Sequence, residues 1–239
     1  MLQTEIITEL TLEQNALIPV YRDKWRAIAL STEPINRHKA IEAIEAAYAT
    51  MGERKPKVLF FDSPYAALKS FITSPREWQW QLPNPLVRQL GKQLNPQLSS
   101  QLKDQLSNQL WGQLYSQLSR LVYPLREQLR THLKQPIDSC IEPTLWACSA
   151  SWFDFCISVL NCVHEPEQWQ AFESLAKNCG LIFFLQKYEA ELEQIEKTCL
   201  VCDRPLKVSF DNQPCLHGAI EPVVQFADGY SLYLERDLT

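Results

Sequence analysis

Four side chains late in the chain have the chemistry of a metal site. Cys199 and Cys202 form a Cys-x-x-Cys pair, and Cys215 and His217 follow the turn signal Asp211-Asn212-Gln213. Two thiolates, a third thiolate and an imidazole suit tetrahedral zinc. A zinc ribbon carries its second pair as Cys-x-x-Cys, so Cys215-x-His217 matches imperfectly. The competing reading is that Cys199 and Cys202 are strand residues and His217 a polar strand-end residue. That reading is favoured, so no cofactor is expected, with zinc as the alternative. A redox pair needs a helix N-terminus to stabilise its thiolate. Here Leu200, Val201 and the following Asp203-Arg204-Pro205 point to a strand end instead.

A second constellation consists of two turns. Ser31, Thr32 and Glu33 precede Pro34, with Arg37 just beyond, and Asp62 and Ser63 precede Pro64. Proline is at home in the first helical turn, and free N–H groups at a helix N-terminus attract anions. Side by side, the two turns would make a polar ligand pocket with Arg37. Glu33 and Asp62 already bring negative charge, which argues against phosphate, and ordinary capping accounts for the same residues. A third grouping, His217 with Asp228, Asp203 and Arg204, could serve acid–base chemistry. No activated nucleophile accompanies it, and a chain with six glycines has no phosphate loop. An enzyme is therefore the less favoured reading.

These residues must be held by a fold that the sequence outlines. Thr11 and Gln14 form a capping-box pattern ahead of a helix to about residue 30, with Leu17, Val20, Tyr21, Trp25 and Ile28 at helical spacing. A second helix starts at Pro34 and runs to about Met51, with Gly52 as its left-handed stop. Residues 57–62 read as a short buried strand, followed by a helix capped by Ser63. Glu142-Pro143 opens a helix apolar on most faces, the expected central helix. Glu165-Pro166 opens another, stopped at Gly180. Strand text begins at Thr198, and Asp228-Gly229 is a hairpin signal, so a small antiparallel meander is expected.

Between these halves stands the most regular text of the chain. Residues 87–118 read VRQL GKQL NPQL SSQL KDQL SNQL WGQL YSQL, eight tetrads each ending in Gln-Leu. Four residues turn an α-helix by about 400°, so each leucine sits roughly 40° past the last. One flat partner face cannot follow such a row, and a left-handed coiled coil needs a 3.5-residue period. Several helices are therefore expected, with a break near Asn95-Pro96 and a second weak point at Gly112. The leucines either pack inside the monomer, the favoured reading, or serve a protein partner or self-association.

Charge is unevenly spread. Of the net −5, residues 82–136 carry seven bases and two acids, while residues 137–239 carry six bases and sixteen acids. Docking of the basic stretch on the acidic one explains this simply. No nucleic-acid module surrounds the dispersed bases, so nucleic acid is not expected as a partner. The N-terminal residues 1–10 carry acids and no basic n-region, and the apolar runs are too short to span a bilayer. The expectation is a cytoplasmic bacterial protein with no membrane partner. All eight cysteines lie after residue 139, and reduced core thiols fit that compartment better than disulfides.

The motif order resembles a family of uncharacterised proteins from cyanobacteria and actinobacteria. The matching text is Tyr21-Arg22-Asp23-Lys24-Trp25, Leu30-Ser31-Thr32-Glu33-Pro34 with Arg37, Tyr48, Gly52, and Phe61-Asp62-Ser63-Pro64. It continues through the Gln-Leu tetrads, Cys202-Asp203-Arg204-Pro205, Leu216-His217, Pro222 and Asp228-Gly229-Tyr230. The resemblance spans nearly the whole chain and implies no activity. It departs after Tyr233, where relatives carry a Trp-His-Gly stretch, and at residues 185–196, which look expanded.

The expected architecture is thus α+β and mainly helical, with a Gln-Leu helical segment and a C-terminal antiparallel meander. Three regions are expected within one compact unit: residues 1–81, 82–136 and 137–239. The function expected is that of a non-catalytic interaction or regulatory protein. The alternatives are an enzyme or small-ligand binder using the Ser31–Arg37 and Asp62-Ser63 turns, and a zinc-stabilised binding module.

Overall fold

The computed structural model describes residues 6–71, 78–80, 84–134, 143–189, 194–209 and 222–233. It is an α+β protein in which helices dominate. Helix α1 (Leu12–Ala29) begins as expected: the Thr11 N–H donates to Gln14 Oε1 at 2.9 Å, and the Gln14 N–H donates back to Thr11 Oγ1 at 3.2 Å. Not all of its helically spaced apolar residues face inward. Ile18 and Trp25 are buried and Tyr21 and Ile28 half-buried, while Leu17 and Val20 stay exposed. Helix α2 (Arg37–Thr50) starts later than Pro34, because Asn36 is its cap and accepts the Lys39 N–H. Gly52, at φ +72°, ends the turn after it.

Strand β1 (Lys57–Phe61) leads into α3 (Pro64–Phe71), where Ser63 Oγ accepts the Ala66 N–H at 3.0 Å. After β2 (Trp78–Trp80) comes the tetrad text, broken as its period demands. Helix α4 (Asn84–Leu94) gives way to a 3₁₀ turn at Asn95–Gln97, then α5 (Ser100–Leu106), a π-helical segment Ser107–Gly112, and α6 (Gln113–Leu133). The break falls at Pro96. A parallel bridge supports it: the Ile7 N–H donates to Gln97 O and the Ser99 N–H to Ile7 O, both at 2.9 Å.

The π segment solves the drift. A turn closed by i→i+5 bonds takes more than four residues. Four residues there rotate by less than a full turn, opposite in sense to the α-helical overshoot. The row is thus reset midway, and the π segment ends at Gly112. All eight tetrad leucines, from Leu90 to Leu118, are at most 3% exposed. They pack internally, which settles the choice between core and partner surface.

Two of the glutamines, Gln93 and Gln97, hold this arrangement through their paired donor and acceptor. Gln97 accepts the Val163 N–H and donates to Val163 O, each at 2.7 Å, as a strand neighbour would. Gln93 Oε1 accepts the Glu165 N–H, and its amide donates to Gln168. The row thereby grips the loop between α7 (Pro143–Ser158) and α8 (Pro166–Asn178).

The longest strands are β3 (Leu181–Glu189) and β4 (Gln194–Cys202), an antiparallel pair. Strand β4 also pairs in parallel with β1, Lys57 opposite Thr198 and Phe61 opposite Cys202. The four-stranded order is β1-β4-β3-β2. Strand text at 199–202 therefore belongs to a mixed sheet and not to the meander. The expected meander exists beside it as β5 (Lys207–Val208), β6 (Val224–Gln225) and β7 (Ser231–Leu232), all antiparallel. No helix among the described residues is long and apolar enough to cross a membrane.

Candidate functional site

The motifs meet in pairs across the fold, and three clasps result. In the first, Asp154 is the lone acid in the apolar text of α7 and is almost fully buried. Its Oδ2 accepts from Lys24 Nζ at 2.6 Å and Trp25 Nε1 at 2.9 Å, and its Oδ1 from Ser158 Oγ at 2.9 Å. Arg22, one turn away, donates to Gln109 O and Gln113 Oε1 on the π segment and α6. The Tyr-Arg-Asp-Lys-Trp motif thus joins α1 to α7 and the tetrad row.

The second clasp sits at the carboxyl ends of the parallel strands β1 and β4. The Asp203 N–H donates to Phe61 O at 2.8 Å. Asp203 Oδ1 accepts two backbone N–H groups, those of Ile35 at 2.9 Å and Arg204 at 2.8 Å. The Arg204 guanidinium donates to Ser31 Oγ (3.2 Å), Glu33 O (3.5 Å) and Lys177 O (2.6 Å). The third clasp joins Ser63, fully buried, to the small sheet: its hydroxyl donates to Asp228 Oδ2 at 2.5 Å, and Asp228 Oδ1 accepts the Tyr230 N–H.

The two turns singled out in the sequence therefore take separate partners. Ser31 and Glu33 meet Arg204, whereas Ser63 meets Asp228. Thr32 and Asp62 are exposed, and the Arg37 guanidinium lies 5.2 Å from the Phe60 ring centroid. Cys199 and Cys202 point to opposite faces of β4, since positions three apart on a strand alternate. Cys199 Sγ lies 3.5 Å from the Tyr48 hydroxyl, whereas Cys202 packs with Phe183, Val224 and Phe226. Burial pushes the Cys199 thiol up to about 12 and Cys202 well upward. Cys215 and His217 lie outside the described residues. Among the described residues, no three His, Cys, Asp or Glu side chains gather as a metal site.

Beneath Arg204 lies a cavity of ≈ 130 Å³ that the sequence did not announce. Its walls are apolar: Val122 and Leu125 of α6, Leu175 of α8, Ile182 of β3, and Val224 and Phe226 of the small sheet. Ser31, Asp203 and Arg204 form its polar side. Burial lowers the Arg204 pKa, an effect opposed by Glu33 and Asp203. Cys179 also lines the cavity, and burial pushes its thiol up to about 12.

Gly180 is the residue that lets β3 begin beside the end of β4. A Cβ there would stand 2.2 Å from Cys202 O. Gly180→Ala is expected to push the chain away from Cys202 at the edge of the second clasp, costing about 1–3 kcal/mol. A chemical-denaturation midpoint equal to wild type would refute that close approach.

No protein-family model matches the sequence, and no curated protein or solved structure matches it.

Proposed function

We propose that this chain is a non-catalytic binding protein for a small amphipathic molecule. The observation that carries this reading is the apolar cavity closed on one side by Arg204, Asp203 and Ser31. A ligand's apolar body would fill the cavity, and its polar head would meet Arg204. Three of the five guanidinium N–H donors are engaged by Ser31, Glu33 and Lys177, which leaves donors for a ligand oxygen. Benzene occupies an engineered apolar cavity of about 150 Å³, so a ring or a short alkyl chain is the right size here. The tetrad row lends no support to a partner surface, because its leucines are inside.

Calorimetric titration with straight-chain carboxylates, from butanoate to decanoate, tests this. Saturable binding with an optimum at a short chain is expected, with weaker binding of the matching alcohols. Val122→Phe should fill the cavity and abolish binding while leaving the fold intact. Binding that ignores Val122→Phe, or no binding across the series, would refute the proposal.

A further inference from the structure

A second concavity lies elsewhere, between the bend at Pro96 and helix α7. It is a groove of ≈ 980 Å³ whose edges are α4, α5 and the π segment. Arg88 and Lys92 reach it from α4, Lys103 from α5 and Trp111 from the π segment. Among the described residues, Asp104 is the one acid on its lining. The charge pattern of the sequence leads to the expectation that basic text docks on acidic text. Among the described residues, none of Arg88, Lys92 and Lys103 has an ion-pair partner. Among the described residues, a chain of net charge −5 thus sets three cations against one acid around this groove.

An aromatic ring and small hydrogen-bonding groups complete the lining. Trp111 is half-buried and stacks on Tyr115, with ring centroids 4.8 Å apart and planes at 15°. Ser100, Ser107 and Ser149 offer hydroxyls along the same groove. A cationic groove that tracks phosphates, with an aromatic face for a base, is the general design of sequence-tolerant nucleotide binding. From this juxtaposition we infer that the groove binds nucleotides, their phosphates on Arg88, Lys92 and Lys103 and a base against Trp111. The same chemistry is offered by a free nucleotide and by a single strand.

The test uses the intact protein and fluorescence anisotropy of a labelled short oligothymidylate, with thymidine monophosphate, ATP and polyglutamate as competitors. Oligothymidylate or a free nucleotide should bind, and polyglutamate should compete poorly. Affinity rising with oligonucleotide length would identify a strand as the ligand, and equal affinity for ATP a free nucleotide. For a strand, three neutralised phosphates imply a slope of log affinity on log salt of about −2. Arg88→Glu/Lys92→Glu, at exposed positions, should weaken binding at least tenfold with an unchanged melt. Trp111→Ala should weaken it between about fivefold and a hundredfold by loss of stacking, with Trp111→Phe retaining most of the affinity. No binding at about 50 mM salt, binding indifferent to the charge reversals, or polyglutamate competing as well as the oligonucleotide would each overturn the inference.

Discussion

Replacing Leu106 and Leu110 together by alanine is expected to destabilise the protein by roughly 4–10 kcal/mol, at about 2–5 for each buried leucine. Both are fully buried, on either side of the junction where the row is reset. Native domains are stable by only about 5–15 kcal/mol, so the double variant should lose a large share of its stability. Each single variant should remain folded, with a clearly lowered urea midpoint. Single variants that melt like wild type while losing self-association would instead make the row a partner surface.

Asp154→Ala is expected to cost about 2–3 kcal/mol, because it leaves the Trp25 indole N–H buried without an acceptor and removes a charge-assisted hydrogen bond. The loss should stay below that of a fully buried pair. Lys24 is 43% exposed and its ammonium can turn to water. Lys24→Ala should therefore lower stability by no more than about 1 kcal/mol. Asp154→Asn should fall between the two, since its amide oxygen can still accept from Trp25. Thermal melts of the three variants separate these effects. Equal losses for Lys24→Ala and Asp154→Ala would mean that the ion pair, and not the buried indole contact, stabilises the clasp.

Much of the helical frame was legible because its signals are local. The Thr11–Gln14 capping box, Ser63 before Pro64 and the break at Pro96 each depend on a few neighbouring residues. The tetrad period also foretold that no single straight helix could hold the row. It did not foretell the π segment, since a wider turn is one of several ways to cancel the drift. Helix α2 was placed to begin at Pro34, yet Asn36 is the better cap because its side chain reaches the Lys39 N–H. The inward face of α1 was not legible, because Leu17 and Val20 share helical spacing with Trp25 and spacing does not say which side meets the core.

What the sequence hid is non-local. The parallel pairing of β1 with β4 spans well over a hundred residues, and no local pattern encodes it. The cavity is non-local too, since its walls come from α6, α8, β3 and the small sheet. Asp154 is the available sign in the sequence: a single acid inside apolar helical text needs a buried partner. Asp203 and Arg204 were singled out with His217 as possible acid–base groups. They instead hold the Ser31 turn against the strand ends and form the polar side of the cavity.

Methyl-resolved NMR during a titration with hexanoate reads that cavity directly. Saturable shifts confined to Val122, Leu125, Leu175, Ile182 and Val224 are expected, with the methyls of Leu102, Leu106 and Leu110 unmoved. Shifts centred on the tetrad leucines, or none at the cavity up to millimolar ligand, would contradict a ligand site beneath Arg204.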